Sequence, residues 1–264
     1  MPEQKINLIY IAGYGFSGST LLERMIACHP KIIGLGEVYN LLQDFDQNEI
    51  CSCGLSLPLC PYWKEAYSIY LKDKKLVNSQ NIFSLLSESQ VPKVQYFCDS
   101  SKTTFGNMLR PFFLSKKYEV TMIHITRDGA ACLQSVLKRS SKSSHLLKSL
   151  IVGIHWSLAN LMASSFQFFN SSAYLKIKYE DLIEQPNKLR SQIYDFLKIN
   201  NQNHLRQFNQ NNSIPLTHQL SGNAIRKIEN LILKNKDEFQ RKKHVFPELI
   251  FKIISFPIYK LMGY

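Results

Sequence analysis

Four apolar runs along the chain have the length and composition of β-strands. Residues 6–13, INLIYIAG, are almost wholly apolar and end in glycine, a pattern typical of a strand buried on both faces. Residues 93–101 and 119–129 are two further strand candidates, and the second of them ends at charged residues. In residues 173–182 the side chains instead alternate along the run, with lysines on one side of the alternation. The chain therefore has four predicted strands.

Helical patterns separate these strands. The first has an apolar face formed by Leu21, Leu22, Met25 and Ile26. The predicted helices cover residues 17–29, 104–117, 130–140, 145–170 and 187–199. Alternation of strands and helices predicts an α/β fold, in which helices cover both faces of a mostly parallel sheet.

Polar residues follow three of the predicted strands, at 13–20, 99–102 and 127–129. In a parallel sheet, ligands bind beyond the carboxyl ends of the strands. The sequence therefore predicts one ligand site at this edge of the sheet.

The segment GYGFSGSTLL has the glycine spacing of a phosphate-binding loop. Gly13 and Gly18 lie five apart, and Ser19 and Thr20 follow, but Ser19 stands where a nucleoside-triphosphate loop has lysine. A strand, a glycine-rich turn and a helix offer an anion backbone N–H groups and a positive helix end, with or without that lysine. The alternative for this segment alone is a purely structural turn.

Two later segments strengthen the anion-binding interpretation. Arg127 ends a predicted strand, and Ser135 follows about two helical turns later, so both can reach one phosphate. The late segment HQLSGNAIRK, residues 218–227, adds a turn and two basic residues that could close over the same anion. Two separated anion sites indicate a ligand with phosphate groups at both ends.

The overall composition sets limits on the function. The 264 residues suffice for one large domain, and the formal net charge of +12 suits an anionic partner without choosing one. We expect neither a signal peptide nor a transmembrane helix. The C-terminal segment 240–264 mixes lysines with large apolar residues, and it either packs on the domain or touches an anionic membrane.

Three of the six cysteines, Cys51, Cys53 and Cys60, lie within ten residues. They could ligate zinc or hold a disulfide. Because no fourth ligand is obvious nearby in the sequence, we favour a local structural loop over a metal site.

Six motifs along the chain, taken together, resemble those of a known family. The chain resembles sulfotransferases that use 3′-phosphoadenosine 5′-phosphosulfate (PAPS), in particular a bacterial type of the carbohydrate and protein-tyrosine branch. The motifs that carry the resemblance, in the family's order, are GYGFSGSTL, GLGEVYNLL, DSSK, RDGAACLQS, KYEDL and SGNAIR. The segment CSCGLSLPLCPYW is similar to an insertion of the bacterial branch. The resemblance spans about residues 6–227 and implies a P-loop-like α/β fold.

The resemblance also implies roles for individual residues. Glu37 would be the general base and Lys102 the cation at the transferred group, with no metal required. The implied cofactor-binding residues are Tyr14, Gly15, Phe16, Ser17, Gly18, Ser19, Thr20, Arg127, Ser135, Tyr179, Gly222, Asn223, Arg226 and Lys227.

One residue departs from the family pattern. Phe16 stands where the family has Arg or Lys, so the loop has one cation fewer. Either Lys102 and another basic residue compensate, or turnover is slow, or PAPS binds without turnover.

The expected partner is an acceptor with a hydroxyl group, such as a saccharide, a glycolipid, a tyrosine or a small molecule. We expect its pocket within residues 38–92 and 140–170, no nucleic-acid partner and a cytoplasmic location. Two other classes stay open: a nucleotide kinase or NTPase with a degenerate loop, and a non-catalytic basic protein that binds anions or membranes.

Overall fold

The structure is a computed structural model that describes residues 5–41, 45, 49–78, 80–88, 94–104, 106–139, 141, 144–200, 213–229, 231–232 and 245–264. Within these residues, five parallel strands form the main sheet, in the order β2-β3-β1-β4-β5. They are β1 (Asn7–Ala12), β2 (Ile32–Gly34), β3 (Tyr96–Asp99), β4 (Glu119–Thr126) and β5 (Tyr174–Lys178). A two-stranded antiparallel ribbon pairs β6 (Ser213–Ile214) with β7 (Leu231–Ile232).

The described α-helices come in the order typical of an α/β fold. They are α1 (Ser19–Ile26), α2 (Val38–Leu41), α3 (Lys64–Lys72), α4 (Ile82–Glu88), α5 (Arg110–Leu114), α6 (Gly129–Leu137), α7 (His145–Phe169), α8 (Tyr179–Glu184), α9 (Pro186–Phe196) and α10 (Val245–Met262). Short 3₁₀ turns occupy Lys74–Leu76, Ser171–Ala173 and Ala224–Lys227. The predicted α/β class with a parallel sheet is confirmed.

Strand β1 shows why the sheet must be covered on both sides. Its successive side chains point to opposite faces, so Leu8 and Tyr10 join one apolar core while Ile9 and Ile11 join the other. Helices α1 and α9 lie on the Ile9 side, and α7 with the cysteine loop lies on the opposite side. Strand β1, covered on both faces, is the central strand of the sheet, between β3 and β4.

The sequence pattern missed several short elements and predicted two elements that are longer than the observed ones. It missed β2 and the helices between Val38 and Glu88 because those apolar segments are short. Within the described part of the predicted helix 104–117, the α-helix covers Arg110–Leu114, with Pro111 in its first turn. The alternation predicted to continue to residue 182 stops at Lys178, and Tyr179 begins a helix.

The C-terminal helix α10 packs on α6 and α7, with Phe251, Ser255 and Met262 buried. Residues 240–244 of the predicted C-terminal segment lie outside the described residues. Among the described helices, α7 is long and apolar enough to cross a membrane by length and composition, a test that core helices of soluble proteins also pass. In this fold α7 contacts β4, α6 and α10.

Candidate functional site

Two glycines shape the loop between β1 and α1. Gly13 has φ +133°, and a Cβ there would lie 2.4 Å from the carbonyl oxygen of Ile125. Gly18 has φ +91°, and its Cβ would lie 2.5 Å from the ring of Tyr179. Since both backbones are in the left-handed region and both approaches are too close for a Cβ, the spacing of these glycines is dictated by the turn itself.

The loop delivers the N-terminus of α1 to an open space. Gly18 caps the helix without a side-chain hydrogen bond, and the first turn holds no acidic residue. The first backbone N–H groups of a helix have no acceptor within that helix, and the helix dipole adds positive potential there. This end of α1 is therefore suited to an anion.

A cavity of about 670 Å³ lies against the loop. Among the residues that the structure describes, its charged wall side chains are one carboxylate, Glu37, and four basic groups. The basic groups are those of Lys102, Arg127, Lys138 and Arg139. An excess of cations around a helix N-terminus favours a ligand with several negative charges.

Arg127 connects the end of β4 to the loop. Its Nη1 donates a hydrogen bond of 2.7 Å to the carbonyl oxygen of Phe16, and its guanidinium lies 4.2 Å from the ring centre of Tyr179. Ser135 lines the same cavity, one turn beyond Ala131, whose carbonyl accepts its hydroxyl proton at 3.0 Å. The pair predicted to bind a phosphate thus faces one space.

Glu37 and Lys102, which also line this cavity, form an ion pair with each other. Both side chains are largely buried, with 15 % and 11 % of their surfaces exposed, respectively. Asn40 donates a 2.7 Å hydrogen bond to the second carboxylate oxygen of Glu37. Lys102 has φ +66°, and its carbonyl accepts the hydroxyl proton of Tyr10. The two predicted catalytic side chains are therefore in contact and held from several sides.

A buried carboxylate that sequence reasoning missed fixes the turn before Glu37. Glu23 accepts hydrogen bonds from the backbone N–H of Gly36 at 2.7 Å, from Ser100 Oγ at 2.5 Å and from Gln219 Nε2 at 2.5 Å. Burial raises the pKa of Glu23 to about 7, against the lowering effect of these three donors. Three elements distant in sequence meet at this one side chain.

The segment after β6 closes the site from another direction. Leu220 N donates to Leu35 O, and Glu37 N donates to Ser221 O, each at 3.2 Å. A Cβ on Gly222 would lie 3.4 Å from Thr20 Oγ1 and 3.6 Å from Glu37 Oε1. Gly222 therefore sits between the loop and the ion pair, and Asn223 lines the cavity beside it.

Most of the predicted site residues share this cavity. The wall includes Gly15, Phe16, Gly18, Ser19, Thr20, Glu37, Lys102, Arg127, Ser135, Tyr179, Gly222 and Asn223. Four predicted residues lie off the wall. Tyr14 packs in the core with Trp156, Ser17 is buried, Arg226 pairs with Glu49 at 2.6 Å, and Lys227 is exposed.

Several wall residues were not among the individually predicted site residues, although Tyr39 and Asn40 fall in the range 38–92 expected for the acceptor pocket. These wall residues are Leu21, Tyr39, Asn40, Ser101, Thr104, Asn107, Lys138, Arg139 and Ile225. Arg139 is notable because its guanidinium lies 5.0 Å from the ring centre of Phe16, the position where the loop lacks a cation. In the predicted helix 130–140, its spacing of four residues from Ser135 was a usable signal, since such residues share a helix face, although α6 itself ends at Leu137.

A second cavity of about 550 Å³ adjoins the first, sharing Tyr39 and Asn107 with it. Most of its remaining wall is apolar: Met108, Leu109, Phe113, Leu114 and Met162. Gln80 and Arg110 add polar groups. The two cavities together offer one charged and one mainly apolar compartment.

A family model matches most of the chain. The model of a family described as "Sulfotransferase family" matches residues 9–203. A search of curated protein sequences gave no significant match.

Solved structures show the same fold at low identity. The sulfotransferase domain from the Synechococcus PCC 7002 olefin synthase is 16 % identical, with a TM-score of 0.65, and the match covers 100 % of this chain and 97 % of that one. The sulfotransferase domain from the curacin biosynthetic pathway is also 16 % identical, with a TM-score of 0.62 and 99 % of each chain covered. Mouse sulfotransferase SULT7A1, crystallised with PAP, is 15 % identical, with a TM-score of 0.51 over 99 % of this chain and 88 % of that one.

Proposed function

The chain belongs to the sulfotransferase family, and we propose that it transfers a sulfuryl group from PAPS to a hydroxyl group of an acceptor. The observation that carries this proposal is the cavity in which the Glu37–Lys102 ion pair faces both the loop before α1 and Arg127. A base, a cation and two anion-binding regions around one space are what sulfuryl transfer needs.

The residues present fit PAPS. The backbone N–H groups of residues 16–20 and the hydroxyls of Ser19 and Thr20 would hold the 5′-phosphosulfate at the N-terminus of α1. Arg127 and Ser135 would hold the 3′-phosphate. The uncapped N-terminus of α1 and the four basic side chains on the cavity wall support this fit. PAPS supplies the activated sulfuryl group when bound.

Glu37 is proposed as the general base, and its position supports that role. Within the described part of the chain it is the one carboxylate on the cavity wall. It would take the proton of the acceptor hydroxyl, while Lys102 stabilises negative charge that develops beside it. Asn40 orients the carboxylate through its hydrogen bond.

We propose that Arg139 supplies the positive charge that the loop lacks at Phe16. It lines the cavity, and its guanidinium packs on the Phe16 ring. A cation at that place restores positive charge near the loop without occupying the loop position itself.

The second cavity supports an acceptor with an apolar portion next to its hydroxyl group. It joins the charged cavity at Tyr39 and Asn107, so an acceptor seated there would reach toward Glu37. Tyr39, Gln80 and Met162 lie in the ranges expected for the acceptor pocket, 38–92 and 140–170. The wall residues between 106 and 114 lie outside those ranges.

The exposed face of α10 supports a peripheral contact with an anionic membrane. Phe246, Ile253 and Phe256 are 74 %, 67 % and 59 % exposed on the side away from the buried Phe251. Lys252 and Lys260 are exposed on the same helix, which suits a negatively charged lipid surface. A cytoplasmic location, where PAPS is made, stays a prediction.

The direct test uses PAPS labelled with radioactive sulfur and a panel of saccharide, phenol and alkyl-alcohol acceptors. Label should move to at least one acceptor, and ATP labelled at the γ-phosphate should give no transfer. Phosphoryl transfer from ATP would instead support the degenerate-kinase alternative.

A further inference from the structure

Four metal-ligand atoms converge outside the sulfotransferase site. Those of Cys51, Cys53, Cys60 and His218 all lie within 4.8 Å of one another. The Nδ1 atom of His218 lies 3.3 Å from the sulfur of Cys60 and 3.7 Å from that of Cys51. The sulfurs of Cys53 and Cys60 are 3.8 Å apart. The histidine comes from a segment more than 150 residues later in the chain, so the sequence could not show it.

These distances can be compared with tetrahedral zinc geometry. With Zn–S about 2.3 Å and Zn–N about 2.0–2.1 Å, tetrahedral angles place two sulfurs about 3.8 Å apart and a sulfur and a nitrogen about 3.6 Å apart. The measured 3.8 Å between sulfurs and the 3.3 and 3.7 Å between sulfur and nitrogen lie close to these values. Three thiols and one imidazole are also a ligand set of structural zinc sites.

A disulfide does not account for the cluster. All six cysteines, which lie within the described residues, carry free thiols. One disulfide would use two of the three clustered sulfurs and leave the third, with the imidazole, unexplained. Four metal-ligand atoms within 4.8 Å of one another can instead share a single metal ion.

The surrounding contacts hold the ligands in place. Trp63 Nε1 donates a 2.8 Å hydrogen bond to the carbonyl of His218, and the ring of Tyr62 packs 4.1 Å from the imidazole centre. Ser52 donates to the Thr217 carbonyl at 2.6 Å and accepts from Gln219 N at 2.9 Å. Such contacts around a metal site orient its ligands.

We propose that Cys51, Cys53, Cys60 and His218 bind one structural Zn²⁺ ion. This revises our expectation of a local loop without metal, and it does not depend on the proposed sulfuryl transfer. The ion would tie the cysteine loop to the segment of His218. Four residues later that segment supplies Gly222, beside Thr20 and Glu37. Zinc would therefore brace the cavity from outside without touching it.

The test is metal analysis of the protein purified without chelator. Wild type should contain one zinc per chain, and Cys60→Ser and His218→Asn should reduce zinc to background. Cys28→Ser is the matched control, because Cys28 is a half-buried thiol outside the cluster, and it should keep the metal. Cobalt added to metal-free wild type should give thiolate-to-cobalt charge-transfer bands and the visible bands of a tetrahedral site.

If the variants do not fold, measurements on wild type alone still test the zinc proposal. Wild type that holds no zinc and takes up neither zinc nor cobalt would overturn the proposal. So would a disulfide between two of the three clustered cysteines, identified by peptide mapping of unreduced denatured protein. Full zinc content in both folded ligand variants would place the metal elsewhere and equally contradict it.

Discussion

The ammonium group of Lys102 forms an ion pair with the carboxylate of Glu37, although 65 residues separate them in the chain. Lys102 follows β3, and Glu37 follows β2, its neighbour in the sheet. Parallel strands bring these two ends to one edge, where α1 also begins. A proton acceptor and a cation therefore lie together in the cavity at the N-terminus of α1, where an anion is expected to bind.

The first prediction concerns the general base. Glu37→Gln keeps the size of the side chain but removes its ability to accept a proton, so we expect kcat to fall about 10²- to 10⁴-fold. The affinity for 3′-phosphoadenosine 5′-phosphate (PAP), the product of PAPS, should remain within a few-fold of wild type when measured by calorimetry. Glu65→Gln, at an exposed glutamate on α3, is the control and should leave both quantities unchanged. Unchanged turnover in Glu37→Gln would remove Glu37 from the mechanism.

The second prediction compares two glycines of the loop. Gly18→Ala places a Cβ 2.5 Å from the Tyr179 ring at a left-handed φ, whereas a Cβ on Gly15 meets nothing within 4 Å. We expect Gly18→Ala to cost about 1–2 kcal/mol from backbone strain alone, and to weaken PAP binding because the loop must shift. Gly15→Ala should change the free energy of unfolding by less than about 0.5 kcal/mol. Chemical denaturation and calorimetry of both variants check this, and equal effects would contradict it.

The third prediction concerns the pH dependence of stability. The pKa of Glu23 is raised from its ordinary 4.5 to about 7, so its contribution to stability is complete below pH 4.5 and is lost as the pH rises through 7. In wild type, this contribution to the free energy of unfolding should therefore fall between pH 5 and pH 8, by an amount on the order of 3 kcal/mol. Glu23→Gln should lack that fall.

The effect of Glu23 is the difference in the free energy of unfolding between wild type and Glu23→Gln at each pH. Burial lowers the pKa of His124 to about 4, which adds stability as the pH rises and opposes the Glu23 effect. Because His124 is present in both proteins, its contribution cancels when the wild-type and Glu23→Gln unfolding curves are subtracted at each pH. Parallel curves from pH 5 to pH 8 would show that Glu23 does not titrate in this range.

The fourth prediction concerns the exposed face of α10. Wild type should co-sediment with phosphatidylglycerol vesicles more strongly than with phosphatidylcholine vesicles. The double variant Phe246→Asp, Ile253→Asp should lose this binding, because both side chains are more than 60 % exposed and carry the apolar face. Leu71→Asp, 65 % exposed on α3, is the control and should bind like wild type. If wild type stays in solution and elutes as a dimer, the face binds a second copy instead.

Much of the site could be predicted from the sequence because it follows strand ends. Gly13, Gly18, Arg127 and Lys102 each come directly after or near a strand whose apolar run is visible in the sequence. Ser135 could be added because it lies two turns into the following helix. The positions of these residues can be predicted from the local sequence pattern together with the geometry of a parallel sheet.

The rest depends on contacts that no local pattern contains. Glu23 looks like a polar residue on an amphipathic helix, yet it is fully buried, because Ser100 and Gln219 arrive from distant elements to donate to it. His218 meets the cysteines for the same reason. Arg226 matched a motif, but in the structure its guanidinium pairs with Glu49 rather than lining the cavity.

The central claim is most directly tested by calorimetric titration of PAP into wild type and Arg127→Ala, with ATP as the competing ligand. We expect micromolar PAP affinity in wild type and a loss of about 10- to 100-fold in Arg127→Ala, because charge-assisted hydrogen bonds contribute about 1.5–3 kcal/mol. ATP should bind more weakly than PAP. Absence of PAP binding to folded wild type, or tighter binding of ATP, would contradict the proposed use of PAPS.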